Sequence, residues 1–290
     1  MNKIIDLLEK SYSDKRRKLY PYIVVVGTGG TGGYVVQHVA QMMSIFNMRG
    51  HFLITDPDVI EKKNLSNQLF VESDIGKKKA DVLARRYRTA YNISISSFSD
   101  AYIEDVGMLK SLFNTDYQAI GYSNEVLYLP IIIGCVDNAY TRKVMNDFFH
   151  KVGRCLYIDV GNASTEVPKD FRDRPMEKWT DKEKELYAES GWNGQVVCGL
   201  KLDGKTILPA PAEVLPDLID DEGEVAPSQM ACSDLMASFP QRLLTNRMAA
   251  MAVTTYLNEI FESGTISKQM TFFNAKECFM KSQSITELPK

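Results

Sequence analysis

Apolar and polar residues follow one another along the first half of the chain in blocks that predict strands and helices in turn. A fully apolar run at 22–26 leads into a glycine-rich stretch, and apolar positions at helical spacing then continue from Tyr34 to Phe46. Runs that are apolar throughout are typical of parallel strands covered on both faces. A second short strand over 52–55 ends at Asp56. Residues 22–56 therefore predict a β-α-β unit.

The alternation continues to about residue 160. The other predicted elements of this half are helices over 77–91, 103–113 and 139–152 and strands over 93–98, 130–136 and 156–159. Strands that alternate with helices indicate an α/β fold, here a doubly wound, Rossmann-like and mostly parallel sheet.

The second half of the chain lacks this regular alternation of strands and helices. Residues 195–202 with the Asp203-Gly204 pair predict a hairpin, a long helix is expected within 233–261, and 270–275 with 278–282 predict a closing pair of antiparallel strands. The segments 166–190 and 213–230 are rich in charge and proline, so we expect mobile loops there. Apolar spacing near the amino terminus predicts a helix within residues 1–20, over 3–19. We expect 21–290 to form a single domain.

Composition narrows the function classes. Hydrophobic residues make up 44% and the formal net charge is −3, so the chain is globular and lacks the basic excess of a nucleic-acid binder. No apolar run is long enough to predict a membrane span. Five dispersed cysteines without a C-x-x-C pair argue against a disulfide framework and a structural zinc site. Free thiols fit a cytoplasmic protein.

The glycine-rich stretch carries the first chemical signal. Residues 27–32 read Gly-Thr-Gly-Gly-Thr-Gly between a strand and a helix. Glycines there allow a tight turn and close approach to phosphate, while the helix start offers free N–H groups. Asp56, at the end of the next strand, is placed to accept hydrogen bonds from ribose. Together these features predict a nucleotide site.

The residues after Asp56 favour a triphosphate. Asn64, Asn67 and Gln68 can donate hydrogen bonds to phosphate oxygens, and Lys79, in a lysine cluster after Asp-Ile-Gly, can supply a positive charge. A nicotinamide enzyme has no use for these groups, although a Rossmann oxidoreductase remains an alternative interpretation of the glycine loop and Asp56.

The order of these motifs resembles the ThiF/MoeB/HesA family, the prokaryotic branch of the ubiquitin-activating-enzyme superfamily. The resemblance rests on Gly-x-Gly-Gly-x-Gly, on Asp-x-Asp with Asn-Leu-x-x-Gln, on Asp-Ile-Gly-x-x-Lys-Ala and on Asp137-Asn138-x-x-Thr-Arg, and it covers 22–160. The later half looks like ThiF proteins of PRTRC-type operons. The resemblance implies ATP-dependent adenylation of the C-terminal carboxylate of a small β-grasp, ubiquitin-like protein by a homodimer, with an E2-like conjugating partner as a further expectation.

The family match also implies roles for single residues. Gly27, Gly29, Gly30 and Gly32 would cradle the nucleotide, Asp56 would hold the ribose with Asp58 beside it, and Asn64 and Lys79 would hold phosphate oxygens. Asn67, Gln68 and Asn138 complete the expected ATP-binding set. Asp137, at the end of a central strand, would bind Mg²⁺. Lys79 and Asp137 are the residues expected to serve catalysis. Arg142 is as well suited to a structural role.

Two departures from the family pattern stand out. Many members have arginine where this chain has Asn67, and asparagine cannot neutralise charge. We therefore expect weaker phosphate stabilisation or a substitute cation, with Arg16 and Arg17 as candidates that would reach into a partner subunit. The two C-x-x-C pairs that bind zinc in many relatives are absent, so we expect no structural zinc.

The remaining question is a catalytic cysteine. Some members pass the adenylate to a thiol, and Cys232 is the best candidate because a cysteine at a helix start has a lowered pKa. Its alternative role is a small residue that closes the substrate groove, while Cys135, Cys155, Cys198 and Cys278 are expected to pack in the interior. A non-catalytic scaffold that binds a ubiquitin-like protein is a further alternative, to which Asn67 gives some weight.

Overall fold

A central sheet flanked by helices forms the body of the molecule. The computed structural model describes residues 3–9, 16–113, 125–171, 173–220, 225–229 and 241–285. The strands in this part of the chain are Ile5–Asp6 (β1), Lys18–Val26 (β2), His51–Thr55 (β3), Ser96–Phe98 (β4), Val126–Gly134 (β5), Cys155–Asn162 (β6), Asn193–Leu202 (β7), Lys205–Leu208 (β8), Thr265–Ile266 (β9), Lys268–Asn274 (β10) and Phe279–Ser284 (β11). The helices are Gly30–Ile45 (α1), Lys79–Tyr91 (α2), Val106–Ser111 (α3), Ala139–Lys151 (α4), Asp181–Glu189 (α5), Pro211–Val214 (α6) and Leu243–Ser263 (α7).

The strand order confirms the predicted doubly wound sheet. It runs β11-β10-β7-β6-β5-β2-β3-β4, with β8 beside β7. The strands β6, β5, β2, β3 and β4 are parallel, whereas β7, β8, β10 and β11 pair antiparallel. The chain leaves β2 towards β3 on one side and later returns to β5 on the other. The carboxyl ends of β2 and β5 therefore form a switch point, where α/β sheets bind ligands.

Alternation along β2 fills two cores. Ile23 and Val25 face the layer that contains α1, α2 and α7, while Val24 and Val26 face the layer of α3 and α4. All four side chains are buried, which explains why the strand is apolar at each position from Ile23 to Val26. Since α7 shares its core with α1 and α2, the C-terminal helix packs directly on the nucleotide half of the chain.

The predicted amino-terminal helix is wrong over the residues that the structure describes. Ile5–Asp6 pairs antiparallel with Thr265–Ile266, and β2 begins at Lys18. The spacing of Ile5 and Leu7 fits a helix, but pairing with a strand far along the chain competes with it. Pro21 is tolerated within β2, because β2 pairs with β3 only from Tyr22 onwards and Pro21 lies where that neighbour is missing.

The C-terminal strands follow the prediction. Asp203 and Gly204 both have positive φ (49° and 79°) in the turn between β7 and β8, as expected of a two-residue hairpin loop. The predicted closing pair is the antiparallel pair β10–β11. No helix in the described part of the chain has the length and apolar content needed to span a bilayer.

Candidate functional site

A cleft of about 580 Å³ opens at the carboxyl ends of β2, β3, β5 and β6. Its position is the switch point of the sheet, where the sequence placed the nucleotide. The predicted site residues that line it are Gly27, Gly29, Gly30, Asp56, Asp58, Asn64, Asn67, Gln68, Lys79, Asp137 and Asn138. Gly32 lies behind the cleft wall. Cys232 is outside the described residues.

Glycines at two positions of the loop are packed so tightly that a side chain has no room there. Gly27 has φ +89°, and a Cβ there would lie 2.8 Å from the carbonyl oxygen of Cys135. A Cβ on Gly30 would lie 2.2 Å from Nδ2 of Asn246, in α7. The glycines thus let the loop approach two neighbouring elements as well as a ligand.

The carboxylate of Asp56 holds the glycine loop in place through hydrogen bonds. Its Oδ2 accepts hydrogen bonds from the backbone N and Oγ1 of Thr28 (2.7 and 2.9 Å), and its Oδ1 accepts one from the backbone N of Asp58 (2.9 Å). Burial raises the pKa of Asp56, although the nearby Lys79 charge opposes this effect. The expected ribose contact stays a prediction, and the carboxylate has a structural role besides it.

Lys79 is the lysine of the cluster that faces the cleft. Its Nζ donates to Oδ2 of Asp58 (2.7 Å), and only 8% of its side chain is exposed. Lys77 and Lys78 instead donate to the backbone oxygens of Ser73 and Pro57. Burial lowers the pKa of Lys79, but the charges of Asp56 and Asp58 outweigh it and raise that pKa overall. The ammonium is therefore charged and held inside the site.

The amide side chains lie on a short turn at the rim of the cleft. Oδ1 of the buried Asn64 accepts from the backbone N of Glu61 (2.8 Å) and fixes the 3₁₀ helix Lys62–Ser66. Oε1 of Gln68 is buried without a hydrogen-bond partner in the described structure. A buried acceptor of this kind calls for a donor from a ligand or a water molecule. The predicted role of Gln68, which uses its amide nitrogen as a donor to phosphate, stays a prediction.

The residues of the Asp-Asn-x-x-Thr-Arg motif have different roles. Asn138 caps α4, since its Oδ1 accepts from the backbone N of Thr141 (2.8 Å). Asp137 is exposed to the cleft and accepts no hydrogen bond from a described residue. Arg142 donates to Asp159 and to the backbone oxygens of Val136 and Val160. Arg142 thus ties the ends of β5 and β6 together, which is the structural role considered for it.

The cysteines separate into buried and exposed thiols. Burial raises the pKa of Cys135 and Cys155 well above the ordinary range and that of Cys198 to about 12. Cys278 was expected to pack in the interior, and this expectation is wrong, because the residue is exposed in the turn between β10 and β11. Among the described cysteines, Cys135 lines the cleft.

Arg16 and Arg17 do not reach the site of their own chain. Arg16 donates to Asp6 (2.8 Å) and to the backbone oxygen of Ser263 (2.5 Å), and Arg17 donates to the backbone oxygen of Leu7 (2.9 Å). Both residues precede β2, at the amino-terminal end of that strand, whereas Gly27 follows its carboxyl-terminal end. A role as the substitute cation within one chain is therefore excluded, and a role in a partner subunit stays a prediction.

Several residues of the site escaped sequence reasoning. Thr31, Asn162 and Asn246 form a hydrogen-bonded group, in which Oδ1 of Asn246 accepts from Thr31 (3.1 Å) and Asn162 (2.9 Å). Tyr102, after β4, lines the cleft and donates to Asp58. Thr31 lies inside the glycine motif at a position that the motif leaves open, Tyr102, Asn162 and Asn246 lie outside the motifs quoted above, and only the fold brings these residues together.

Comparisons with known proteins agree with this arrangement. The sequence pattern of the ThiF family matches residues 6–198. The ubiquitin-activating enzyme E1 2 of Arabidopsis thaliana is 30% identical over 153 residues, which are 52% of this chain and 12% of that enzyme. The SAMP-activating enzyme E1 of Haloferax volcanii is 28% identical over 158 residues, 52% of each protein. The chain thus spans about half or less of these relatives.

Solved structures show the same fold. Escherichia coli MccB with ATP has a TM-score of 0.54 at 18% sequence identity, covering 92% of this chain and 64% of MccB. MccB in complex with N-formylated MccA has a TM-score of 0.56 at 18% identity, covering 91% and 64%. At such identity the likeness concerns the fold, and the substrates of MccB are not transferred by it.

Proposed function

This chain belongs to the ThiF family, and from that membership and its cleft we propose that it is an adenylyltransferase that activates the C-terminal carboxylate of a small ubiquitin-like protein with ATP and Mg²⁺. The observation that carries the proposal is Lys79. A charged, nearly buried lysine stands opposite a glycine loop, at the switch point of a doubly wound sheet. That combination suits the phosphates of a nucleotide.

The reaction asks the protein mainly for positioning and charge. A carboxylate oxygen of the substrate attacks the α-phosphorus of ATP, a new P–O bond forms, and pyrophosphate leaves with the electrons of the broken bond. Backbone N–H groups at the start of α1 and the ammonium of Lys79 would stabilise the negative charge that develops on phosphate oxygens.

The residues present fit Mg²⁺. Asp137 offers an exposed carboxylate that is not committed to any described donor, and Mg²⁺ is usually held by one or two carboxylates together with phosphate oxygens. No group of three metal-ligating side chains occurs among the described residues, so the phosphates would complete the shell. When bound, the ion would neutralise charge on the phosphates. Lys63, which also lines the cleft, adds a second cation, with its Nζ 3.2 Å from a carboxylate oxygen of Glu61.

A polypeptide substrate is supported by the relatives. Two relatives are named for activating ubiquitin or SAMP, and MccB has been solved in complex with N-formylated MccA. We propose that this chain forms a homodimer and that its substrate is a ubiquitin-like protein. A conjugating protein would then accept the activated ubiquitin-like protein. A free peptide is the alternative substrate of the same chemistry.

The decisive experiment is ATP–pyrophosphate exchange with candidate ubiquitin-like proteins. Exchange should require the carboxyl-terminal residue of the partner and disappear in Lys79→Ala. Lys77→Ala is the matched control, because Lys77 lies two residues away with its Nζ on the backbone of Ser73. Lys79→Met, which keeps the length of the side chain, guards against a folding defect. Activity in both Lys79 variants, or no exchange with any ubiquitin-like protein or peptide, would refute the proposal.

The competing functions predict other outcomes. A nicotinamide-dependent oxidoreductase should bind NAD more tightly than ATP in calorimetry, and Lys79→Ala should leave that affinity nearly unchanged. A non-catalytic scaffold should bind a ubiquitin-like protein with no exchange activity. These outcomes separate the alternatives without knowledge of the natural partner.

A thioester on Cys232 is proposed as a second step. The described residues Pro227 and Gln241, on either side of Cys232 in the sequence, both line the cleft. A reducible adduct with the partner on a non-reducing gel, lost in Cys232→Ser and kept in Cys278→Ser, would support the step. An adduct unchanged in Cys232→Ser would exclude it.

A further inference from the structure

Asp58 is held by two donors at once. Its Oδ2 accepts from Nζ of Lys79 at 2.7 Å, and its Oδ1 accepts from the hydroxyl of Tyr102 at 2.5 Å. Tyr102 lies between β4 and α3, whereas Asp58 follows β3 and Lys79 begins α2. The cleft therefore contains a chain of contacts that runs from a phenol through a carboxylate to the lysine proposed to bind phosphate.

We propose that Tyr102 is a positioning residue, which fixes the carboxylate of Asp58 and, through it, directs the ammonium of Lys79 towards the phosphates. The expected effect of Tyr102 on the reaction rests on the proposed function. The link from Tyr102 to Lys79, however, is a property of the protein alone.

The geometry explains why a second donor is needed. A lysine has a flexible four-carbon stem, and a carboxylate that is bonded on one oxygen only can turn about its terminal bond. The Asp58 side chain is 40% exposed, so packing does not hold it. The phenol bonded to Oδ1 fixes the plane of the carboxylate, and Oδ2 then presents a single direction to Lys79.

The protonation states are consistent with this chain of contacts. Burial raises the pKa of Tyr102 above the ordinary range and the charge of Asp58 adds to the effect, so the phenol remains a donor. Burial also raises the pKa of Asp58, but the charge of Lys79 and the two hydrogen bonds hold it below its usual value. Asp56, Asp137 and Lys63 are the other charged groups that act on this trio.

The test is Tyr102→Phe, which removes the hydroxyl and keeps the ring. Loss of a hydrogen bond to a charged group should lower kcat of pyrophosphate exchange by about tenfold to a hundredfold, and KM for ATP should change by less. In an Asp58→Ala background the same substitution should have little further effect, since the acceptor is gone. Tyr140→Phe is the control, because its hydroxyl donates to the backbone oxygen of Glu104 and it is not part of the cleft wall.

A second measurement does not depend on activity. Mapping of lysine acetylation by mass spectrometry should show faster modification of Lys79 in Tyr102→Phe, with Lys77 as the internal reference. If Lys79 reactivity and kcat both match those of the wild type, the positioning role is excluded. If the wild type shows no exchange, the proposed function fails, and the acetylation of Lys79 alone decides whether Tyr102 holds it in place.

Discussion

Two adjacent glycines of α1 should respond in opposite ways to the same substitution. A Cβ on Gly32 would lie 2.0 Å from the backbone oxygen of Gly27 and 3.2 Å from Cβ of Cys135. A Cβ on Gly33 would have its nearest neighbours at 3.7–3.9 Å, which is ordinary van der Waals contact. Both residues are buried in the first turns of the same helix, so Gly32→Ala and Gly33→Ala differ mainly in the space around the new methyl group.

The magnitudes follow from this difference. Alanine is favoured over glycine within a helix by about 1 kcal/mol, and Gly33→Ala should therefore be neutral or stabilising by up to that amount. A contact between carbon and oxygen needs about 3.3 Å, so α1 would have to move by roughly 1 Å to accept Gly32→Ala. Strain of this kind costs about 1–3 kcal/mol, and the clash is with backbone, which cannot turn aside. Because the helix preference for alanine acts on both substitutions, the two variants should differ by about 1–3 kcal/mol in the free energy of unfolding.

Urea unfolding followed by circular dichroism measures that difference directly. Isothermal calorimetry with ATP adds a functional readout, since displacement of Gly27 should weaken nucleotide binding in Gly32→Ala and leave it nearly unchanged in Gly33→Ala. Equal unfolding free energies for the two variants would show that the loop relaxes freely and would refute the argument from close packing.

Three further predictions concern other parts of the molecule. In native protein, iodoacetamide should modify Cys278 and spare Cys198 until denaturant is added; equal rates, read by mass spectrometry, would contradict the burial of Cys198. Burial lowers the pKa of His38 below its ordinary 6.5 despite a backbone hydrogen bond, so the unfolded chain binds the proton more readily and stability falls as pH drops through 6.5. Urea midpoints at pH 7.5 and 5.5 should therefore move less in His38→Gln than in the wild type, and an equal shift would exclude this contribution. Asn246→Ala should lower the unfolding free energy by about 1–3 kcal/mol through lost hydrogen bonds and raise KM for ATP, whereas Asn258→Ala, on the exposed side of the same helix, should do neither.

The alternation of apolar blocks was sufficient to predict the parallel sheet. Each buried strand is apolar on both faces, as along 22–26, so strand and helix could be told apart by length and by the glycine stretch between them. The short strand Ile5–Asp6 could not be predicted in the same way. Its partner Thr265–Ile266 lies far along the chain, and local periodicity carries no information about such a pairing.

Site residues could be predicted where they belong to a local sequence motif. They could not be predicted where contacts with other parts of the fold determine the direction of the side chain. Three consecutive lysines look alike in the sequence. Only Lys79 turns into the cleft, whereas Lys77 and Lys78 donate to the backbone oxygens of Ser73 and Pro57. The same limit applies to Tyr102, which has no sequence signature of its own. Its role depends on the distance to Asp58, and the fold sets that distance.

The C-terminal helix has a closer relation to the nucleotide loop than the family pattern indicates. The pattern ends at residue 198, whereas Asn246 lies in α7 and occupies the position that a side chain on Gly30 would need. Because Asn246 is fully buried and also accepts hydrogen bonds from Thr31 and Asn162, α7 sets the position of the first turn of α1. That turn supplies the backbone N–H groups expected to face phosphate. A chain that ended at residue 198 would keep every recognised motif and would still lose the support that places those donors.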